Sequence, residues 1–263
     1  DSGAKKIEIE ISQGGKEKIL VSDDGCGMER EDALLSVTRY ATSKISNIED
    51  LSRILSYGFR GEALASIGAV SKMIIETRVR DGAIGNRITV ESGEIKEQVD
   101  WGRDHGTTVT VLDLFYNLPA RRRFLKSDEY EKRAIVDTAK NYLLTNPGVA
   151  FKIKADGKVV LQVESTSDYS VRIRQLFPKN SAKLLKIEEY GEPLIISGFF
   201  TSPQDSARDE SFQYIFVNNR PVQYRLLYRT ILAAYDNPQN RPNFIVYIKA
   251  DPTFVDVNIH PTK

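Results

Sequence analysis

The chain has 263 residues, of which 41% are hydrophobic and 28% charged, a balance typical of a soluble globular protein with one large or two ordinary domains. Its single cysteine, Cys26, excludes an internal disulfide framework and predicts a reducing, cytoplasmic location, and no apolar run or signal-peptide pattern predicts a membrane association. The net charge of +1 excludes a chain-wide electrostatic clamp, so any nucleic-acid binding must depend on local clusters of Lys and Arg.

The first predicted elements are the two strands of a β-hairpin. Ile7, Ile9 and Ile11 alternate with charged residues, which is the pattern of a strand with one buried face. A turn and a second strand follow and run directly into the segment DDGCGM at 23–28. The residues before the hairpin are typical of a helix end with Gly3 near its C-cap, so we expect a helix before Asp1.

Further along, hydrophobic periodicity and turn residues predict a mixture of helices and strands. A polar, Ser-rich segment at 41–59 is long for a connection and is typical of a lid or a binding loop. Ser127 is expected to cap a helix whose buried stripe is Ile135, Ala139 and Tyr142. Trp101 is expected in a polar turn. The predicted helices are 29–40, 61–68 and 128–144, and the predicted strands are 73–78, 87–91, 107–112 and a hairpin turning at 156–157.

A change of composition around 164–168 predicts a boundary between a first domain at 1–166 and a second at 167–263. Runs of apolar and β-branched residues in the second domain indicate strands, and two periodic stretches indicate helices. The order of elements predicts an α+β fold, an α/β sandwich followed by a smaller α/β domain. The second domain is expected to contain helices at 171–177 and 223–235 and strands at 194–201, 214–217, 244–249 and 255–259.

Three short motifs carry the candidate chemistry. In the first, Asp23 ends a strand and can accept hydrogen bonds, while Gly25 and Gly27 let another group approach the backbone. The second is GFRGEAL at 58–64, a glycine-bounded loop opening onto a helix, where free N–H groups suit phosphate. The third is GTT at 106–108, a strand with a hydroxyl beside a glycine. For each motif alone an ordinary turn, loop or strand is the better interpretation.

Together, in this order, the three motifs resemble the Bergerat nucleotide site of the GHKL ATPases, a superfamily that includes gyrase B, histidine kinases and MutL proteins. Further segments narrow the resemblance to the MutL family of DNA mismatch repair proteins, of a bacterial-like type. They are ATSKI at 41–45, GFRGEALASI at 58–67, DLFYNLPARR at 113–122 and VDVNIHPTK at 255–263. The resemblance covers essentially the whole chain and implies a GHKL sandwich followed by a ribosomal-protein-type, transducer-like domain.

The resemblance implies a role for each matching residue. Asp23 is expected to accept a hydrogen bond from the adenine amino group, with Thr107 assisting directly or through water, while Gly25 and Gly27 keep the base pocket open. A lid over the phosphates would contain Thr42, Ser43 and Lys44. The phosphate cradle would comprise Gly58, Phe59, Arg60, Gly61, Glu62, Ala63 and Leu64. Lys263, in the second domain, is expected to reach the γ-phosphate as a catalytic residue.

One departure from the family pattern concerns catalysis. The family carries a glutamate general base and a magnesium-binding asparagine on a helix before the first strand, which here is expected upstream of Asp1. We therefore assign no residue of the chain as the general base or as a metal ligand, and we predict weak nucleotide binding and poor hydrolysis. Glu62 is expected to stabilise a helix N-terminus, and Cys26 is expected to have a packing role.

Two basic clusters are candidates for DNA binding. Arg121 and Arg122, followed by Arg123 and Lys126, are equally compatible with a solvated charge run and with a contact to a DNA backbone. In the second domain Arg220 precedes a helix on which Arg225 and Arg229 share one face, opposite a stripe of Leu227, Ile231 and Ala234. Without interleaved aromatic residues such a surface would contact phosphates and not bases.

The resulting hypothesis is an ATP-driven conformational switch that uses magnesium, dimerises on binding ATP and hydrolyses it slowly. It would bind DNA independently of sequence and couple mismatch recognition by a MutS-type partner to later repair steps. Two alternatives stay open, which are the ATPase region of a type II topoisomerase and a nucleotide-independent DNA-binding module.

Overall fold

The computed structural model describes residues 2–38, 61–191, 193–203, 212–235 and 241–252. Contacts divide these residues into two compact units. The first unit contains described residues 2–38 and 61–172, and the second contains those from Ile173 onward. The division falls within a helix that begins at Tyr169, just after the boundary predicted at 166/167. In the part of the chain that the structure describes, no helix is both long and apolar enough to cross a membrane.

The first unit is built on an eight-stranded sheet, counted over its described residues, in the order β5-β4-β3-β6-β2-β1-β7-β8. The strands are β1 Lys6–Ser12, β2 Lys18–Asp23, β3 Lys72–Arg78, β4 Gly85–Glu91, β5 Glu94–Trp101, β6 Gly106–Leu112, β7 Ala150–Ala155 and β8 Lys158–Val163. The helices are α1 Arg30–Ser36, α2 Ala63–Gly68, α3 Pro119–Arg123, α4 Asp128–Thr145 and α5 Tyr169–Leu176, of which α5 runs into the second unit. The hairpin predicted for β1 and β2 is confirmed.

The core of this unit lies between the sheet and helices α1 and α2. Antiparallel strands β2, β6, β3 and β4 place directly opposite residues on the same face, which produces rows of side chains across the sheet. Two successive rows are entirely apolar, and all of their residues except Val21, which is 38% exposed, pack with residues of the two helices. The rows are Ile19, Val111, Met73 and Val90, then Val21, Val109, Ile75 and Ile88. The interior is therefore a conventional hydrophobic layer up to the second row.

Helix α4 begins where the sequence predicts, because the Ser127 side chain accepts a hydrogen bond from the backbone N–H of Tyr130 at 3.4 Å. Its buried stripe is partly different from the prediction. Ala139 is buried, but Tyr142 is 40% exposed, and Leu143 is the buried residue of that turn. A tyrosine can keep its hydroxyl in water, whereas a leucine gains more by complete burial.

Strand β5 was absent from the predicted elements because its sequence, EIKEQVDW, is dominated by charged and polar residues. Such a composition is tolerated on an edge strand, where charge also blocks pairing with other chains. Trp101 is the last residue of this strand and not part of a turn, so that prediction is wrong. Its ring lies under the Arg87 guanidinium, 4.4 Å from the ring centroid, and this contact accounts for a tryptophan at a sheet edge.

The second unit contains a five-stranded sheet over its described residues, in the order β12-β11-β13-β10-β9. The elements are β9 Leu184–Gly191, β10 Leu194–Thr201, β11 Gln213–Val217, β12 Arg220–Pro221, α6 Arg225–Ala233 and β13 Phe244–Ala250. Helix α6 packs Leu227, Tyr228 and Ile231 on the sheet, whereas Ala234 of the predicted stripe is exposed. Strand β9 was missed, and the strand predicted at 255–259 lies outside the described residues.

Candidate functional site

The predicted site residues Asp23 and Thr107 lie opposite each other in neighbouring strands β2 and β6. They belong to the row that follows the two apolar rows, at the end of the helix-covered face. The Oδ1 atom of Asp23 accepts hydrogen bonds from the backbone N–H of Gly25 at 2.8 Å and from the Ser2 hydroxyl at 3.4 Å. The structure therefore brings together a carboxylate and a hydroxyl that are 84 positions apart in sequence, at the edge of a hydrophobic core.

The glycines of the DxGxG and GTT motifs are required by close backbone approaches. Gly27 has φ of 71°, and a Cβ atom there would overlap the carbonyl of Arg78. Gly106 has φ of 107°, and a Cβ atom there would overlap the carbonyl of Asp23. At Gly25 a Cβ atom would lie 2.7 Å from Asp23 Oδ1. Larger residues at these positions would displace the Asp23 carboxylate or the strand ends that hold it.

A third member of the row, Thr77 on strand β3, is not marked by any sequence motif and was not predicted. Thr77 lies opposite Thr107 and is 1% exposed. Its hydroxyl oxygen accepts a hydrogen bond from the backbone N–H of Met28 at 2.8 Å and lies 3.1 Å from the Thr107 hydroxyl oxygen. It also lies 3.3 Å from the Gly106 carbonyl oxygen. In the sequence Thr77 is an ordinary strand former, so only the register between strands reveals its contacts.

The row continues to Asn86 on strand β4, which lies opposite Thr77 and is 5% exposed. Among the described residues neither its side-chain oxygen nor its nitrogen has a hydrogen-bond partner. Leaving a buried amide unpaired costs about 1–3 kcal/mol, whereas an apolar side chain would complete the core without that cost. Packing therefore does not explain the polar composition of this row, whose partly exposed members Asp23 and Thr107 are the ones a polar ligand could reach.

A cavity of about 490 Å³ opens beside this arrangement. Its lining includes Ser2 and Gly25, which contact Asp23, together with Cys26, Arg80 and Asp81. Cys26 is exposed and lines the cavity, so the packing role predicted for it is wrong. The volume lies in the range of small-molecule sites, and the lining offers both charged and apolar surface. Asp23 and Thr107 are not among its lining residues, so the cavity adjoins the polar row through Ser2 and Gly25 and is not formed by it.

The Asp24 side chain holds the segment DDGCGM at 23–28 to the start of strand β1. Its Oδ1 atom accepts hydrogen bonds from the backbone N–H groups of Lys5 at 2.7 Å and Lys6 at 2.9 Å. Burial is the largest single effect and would raise the pKa of the Asp24 carboxyl, but the backbone N–H groups of Lys6, Lys5 and Asp24 and the charge of His105 together hold the pKa below its usual value. Asp24 is therefore a structural carboxylate, in contrast to its neighbour Asp23.

The GFRGEAL motif is only partly within the described residues. Gly61 has φ of 61°, and α2 begins at Ala63, with Leu64 packed against the core. Glu62 occupies the N-cap position of α2, and its side chain makes no capping hydrogen bond, so a helix-stabilising role would depend on its charge near the helix N-terminus. Several predicted ligand-binding residues lie outside the described residues. They are Thr42, Ser43, Lys44, Gly58, Phe59, Arg60 and Lys263.

The basic segment at α3 is fully on the surface. Arg121, Arg122 and Arg123 are exposed, and none of them forms an ion pair with a carboxylate that the structure describes. The Arg121 guanidinium lies over the ring of Phe115, 5.9 Å from its centroid. Phe124, which follows Arg123, is 85% exposed. Unpaired guanidinium groups beside an exposed ring suit a polyanion that also carries planar groups.

In the second unit Arg225 and Arg229 are exposed on one face of α6, as predicted, and Arg220 is half-buried in β12. Tyr224 is 53% exposed beside Arg225. An exposed aromatic ring therefore accompanies this cluster, contrary to the expectation of a surface without aromatic residues. Across the described ranges, no group of three or more His, Cys, Asp and Glu side chains is arranged to hold a metal ion.

Two protein-family models match the chain. Residues 1–111 match the model described as "Histidine kinase-, DNA gyrase B-, and HSP90-like ATPase", and residues 173–263 match "DNA mismatch repair protein, C-terminal domain". The second match begins where the second unit begins.

Among curated proteins, the chain is 40% identical over 267 aligned residues to the DNA mismatch repair protein MutL of Chlorobium phaeobacteroides. It is also 40% identical to MutL of Caldanaerobacter subterraneus subsp. tengcongensis. The alignments cover 100% of this chain and 43% and 45% of the two relatives, so the chain spans less than half of their length.

Solved structures give the same result. The MutL ATPase domain of Aquifex aeolicus complexed with ADP has a TM-score of 0.73 and 29% identity, covering 96% of this chain and 87% of that one. The topoisomerase IV ATP-binding domain of Francisella tularensis, at 16% identity, a TM-score of 0.53 and 94% and 72% coverage, shares the fold alone. These similarities confirm the predicted α+β fold of the GHKL ATPase type.

Proposed function

The chain belongs to the MutL family of DNA mismatch repair proteins, and from that premise we propose that it binds ATP at the site around Asp23 and that the whole protein hydrolyses ATP slowly. A single observation carries the proposal, which is the placement of Asp23 opposite Thr107 where the apolar core ends and a cavity opens. The match to the ATPase family model over the residues that contain this site supports the same ligand.

In this proposal the adenine base enters the cavity edge-on. The Asp23 carboxylate accepts a hydrogen bond from the exocyclic amino group, and Thr107 contacts the neighbouring ring nitrogen directly or through water. Gly25 leaves room for the base, because a side chain there would occupy the space beside the Asp23 carboxylate, and Gly27 lets the turn after Asp23 pass close to the Arg78 carbonyl. Guanine presents a carbonyl oxygen at the position of the amino group, and a carboxylate would repel it.

The remaining parts of the ATP site stay predictions of the sequence. Thr42, Ser43 and Lys44 would form the lid, Gly58 to Leu64 would contact the phosphates, and Lys263 would reach the γ-phosphate. The general base and the magnesium-binding asparagine are predicted upstream of Asp1. The roles proposed for the described residues are therefore to bind and orient the adenine base, and magnesium would be held by the upstream asparagine together with the phosphates.

We further propose that the whole protein is an ATP-driven switch. The proposal concerns the whole protein because this chain spans less than half the length of its curated relatives. Ordering of a lid by the γ-phosphate is a general way of coupling a nucleotide to a change of conformation. Dimerisation on ATP binding and a MutS-type mismatch-recognition partner belong to this proposal. They rest on the family and not on a contact in the structure.

DNA is the proposed second ligand. Arg121 and Arg122 near α3, and Arg225 and Arg229 on α6, are exposed guanidinium groups that suit phosphate oxygens without reading sequence. Arg220 is proposed with the second group. Sequence-independent binding fits a repair protein, because a mismatch occurs in any sequence context. Such binding should weaken steeply with salt as condensed counterions are retained on the DNA.

Of the two alternatives, a topoisomerase ATPase region is disfavoured by 40% identity to MutL proteins against 16% to the topoisomerase structure. A DNA-binding module indifferent to nucleotide predicts that Asp23→Asn changes nothing. The direct test is calorimetric titration of the chain with a non-hydrolysable ATP analogue and magnesium, for wild type and Asp23→Asn. We expect Asp23→Asn to weaken binding by about tenfold or more, because it turns one acceptor into a donor facing the adenine amino group.

Asp137→Asn is the matched control, since Asp137 is exposed on α4 and its substitution should leave the affinity unchanged. No binding by the wild-type chain, or equal binding by Asp23→Asn, would contradict the proposed site and favour the DNA-binding alternative.

A further inference from the structure

Resting on the proposed function, we infer that Thr77 is a positioning residue that orients the Thr107 hydroxyl and thereby sets the preference of the site for adenine over guanine. Thr77 is 1% exposed on β3, whereas Asp23 and Thr107 in the same row are only partly buried. Thr77 cannot contact the base itself, so any effect on the ligand must act through a neighbour.

The neighbours of Thr77 belong to two of the three motifs. Its hydroxyl oxygen accepts from the Met28 N–H at 2.8 Å, which holds the end of the DxGxG segment. It lies 3.1 Å from the hydroxyl oxygen of Thr107 in the GTT motif. One hydroxyl, contributed by a strand that carries none of the motifs, thus connects the turn after Asp23 to the threonine opposite it.

Counting protons shows why this connection matters. Each threonine hydroxyl has one proton and two lone pairs. The Met28 N–H occupies one lone pair of Thr77, and the Thr77 proton has two acceptors in reach, Thr107 at 3.1 Å and the Gly106 carbonyl at 3.3 Å. If Thr77 donates to the Gly106 carbonyl, Thr107 donates to Thr77. In the inferred arrangement, with a base bound, Thr77 donates to the closer acceptor, Thr107, which leaves the Thr107 proton free to point towards the base.

A donating Thr107 beside an accepting Asp23 forms a pair with a definite polarity. Adenine presents an amino donor next to an unprotonated ring nitrogen, which matches an acceptor followed by a donor. Guanine presents a carbonyl acceptor next to a protonated ring nitrogen, which is the reverse order and leaves both protein groups facing like partners. Without Thr77, the Thr107 hydroxyl can rotate to accept as well as donate, and the site loses part of its discrimination.

The test measures a ratio of affinities, so that a general loss of structure cannot imitate the effect. Dissociation constants for ATP and GTP are measured by calorimetry for wild type, Thr77→Val and Thr77→Ser. Valine keeps the shape and removes the hydroxyl, and we expect it to reduce the ATP-over-GTP preference by about five- to tenfold. Serine keeps the hydroxyl, and we expect it to restore the wild-type ratio.

Thr108→Val is the matched control, because Thr108 is the next residue on β6 and its hydroxyl bonds Ser22 at 2.8 Å on the opposite face of the sheet. This variant should leave the ratio unchanged. Thr107→Val should lower the ratio by itself, and adding Thr77→Val to it should have no further effect. Should valine at position 77 prevent folding, Thr77→Ala removes the same hydroxyl and replaces it in every comparison.

The outcomes separate this inference from the proposed function. A wild-type chain that binds neither nucleotide, or binds both equally, overturns the proposed function and this inference together. A wild-type chain that prefers ATP, with the same preference in Thr77→Val, overturns only the inference and leaves Thr77 as a structural residue. Weaker binding of both nucleotides in equal proportion in Thr77→Val also overturns it.

Discussion

The two sheets differ in how their helix-covered faces end. In the second unit the face under α6 packs Ile215, Phe244 and Val246 beneath the helix, and Leu185, Ile187 and Leu194 near the β9 side remain 41–58% exposed. In the first unit the corresponding face changes within two residues along each strand, from the apolar Val21 and Ile75 to the polar row of Asp23 and Thr77. An exposed aliphatic edge costs little, whereas buried polar groups cost free energy unless they are paired. The comparison indicates that the second face is built for packing and the end of the first for binding.

The largest expected effect is on stability and comes from a substitution in the packed core of the second unit. Phe244→Ala removes a side chain that is 0% exposed from the core under α6. We expect the free energy of unfolding of the second unit to fall by about 3–5 kcal/mol, because both burial and packing are lost. Urea unfolding followed by circular dichroism measures it. Leu226→Ala, at a residue 59% exposed on the same helix, should change it by no more than about 0.5 kcal/mol.

The next effect concerns the backbone at the binding end. Gly27→Ala places a Cβ atom against the Arg78 carbonyl at φ of 71°. We expect a loss of about 1–3 kcal/mol in stability together with weaker ATP-analogue binding, because the strained turn carries the base pocket. Gly148→Ala is the control, since a Cβ atom there meets nothing within 4 Å. Unchanged melting and binding in Gly27→Ala would show that the turn can relax without affecting the site.

A smaller effect on stability is expected at Asp24, and it depends on pH. Because the folded pKa of Asp24 is depressed, its stabilisation is present above the unfolded pKa of about 4 and is lost as pH falls through the folded value. We expect Asp24→Asn to lower the free energy of unfolding by about 1 kcal/mol at pH 7, with the difference from wild type vanishing in acid. Urea unfolding at a series of pH values measures this. A difference that persists below the folded pKa would contradict a role for the charge.

The smallest effect on stability is expected on the exposed face of α6. Replacing Arg225 and Arg229 by Ala should leave unfolding unchanged to within about 0.5 kcal/mol, because both side chains are in solvent. It should weaken DNA binding and reduce the slope of log affinity against log salt by about 2, one for each phosphate contact. Fluorescence anisotropy with labelled DNA measures the slope. A slope equal to wild type would place the DNA contacts elsewhere.

Much of this architecture could be predicted from local sequence. The β1–β2 hairpin, the Ser127 cap of α4 and the strand at 194–201 follow from period-two alternation and capping, which depend on neighbours in the chain. The wrong or missing predictions concern residues whose environment is set by partners distant in sequence. Strand β5 was not predicted because an edge strand needs no apolar face and its sequence is typical of a polar connection. The prediction for Trp101 was wrong because its partner Arg87 lies on another strand.

The sequence by itself determined the three motifs, their order and the family to which the chain belongs, because glycines and charged groups at fixed spacing are visible without a fold. Only the tertiary structure decided which residue stands behind Thr107 and how the apolar core ends. Thr77 and Asn86 carry no motif, and they join Asp23 only because strand register aligns four strands side by side. Register depends on the packing of entire faces, and it is therefore not encoded in any short segment of the chain.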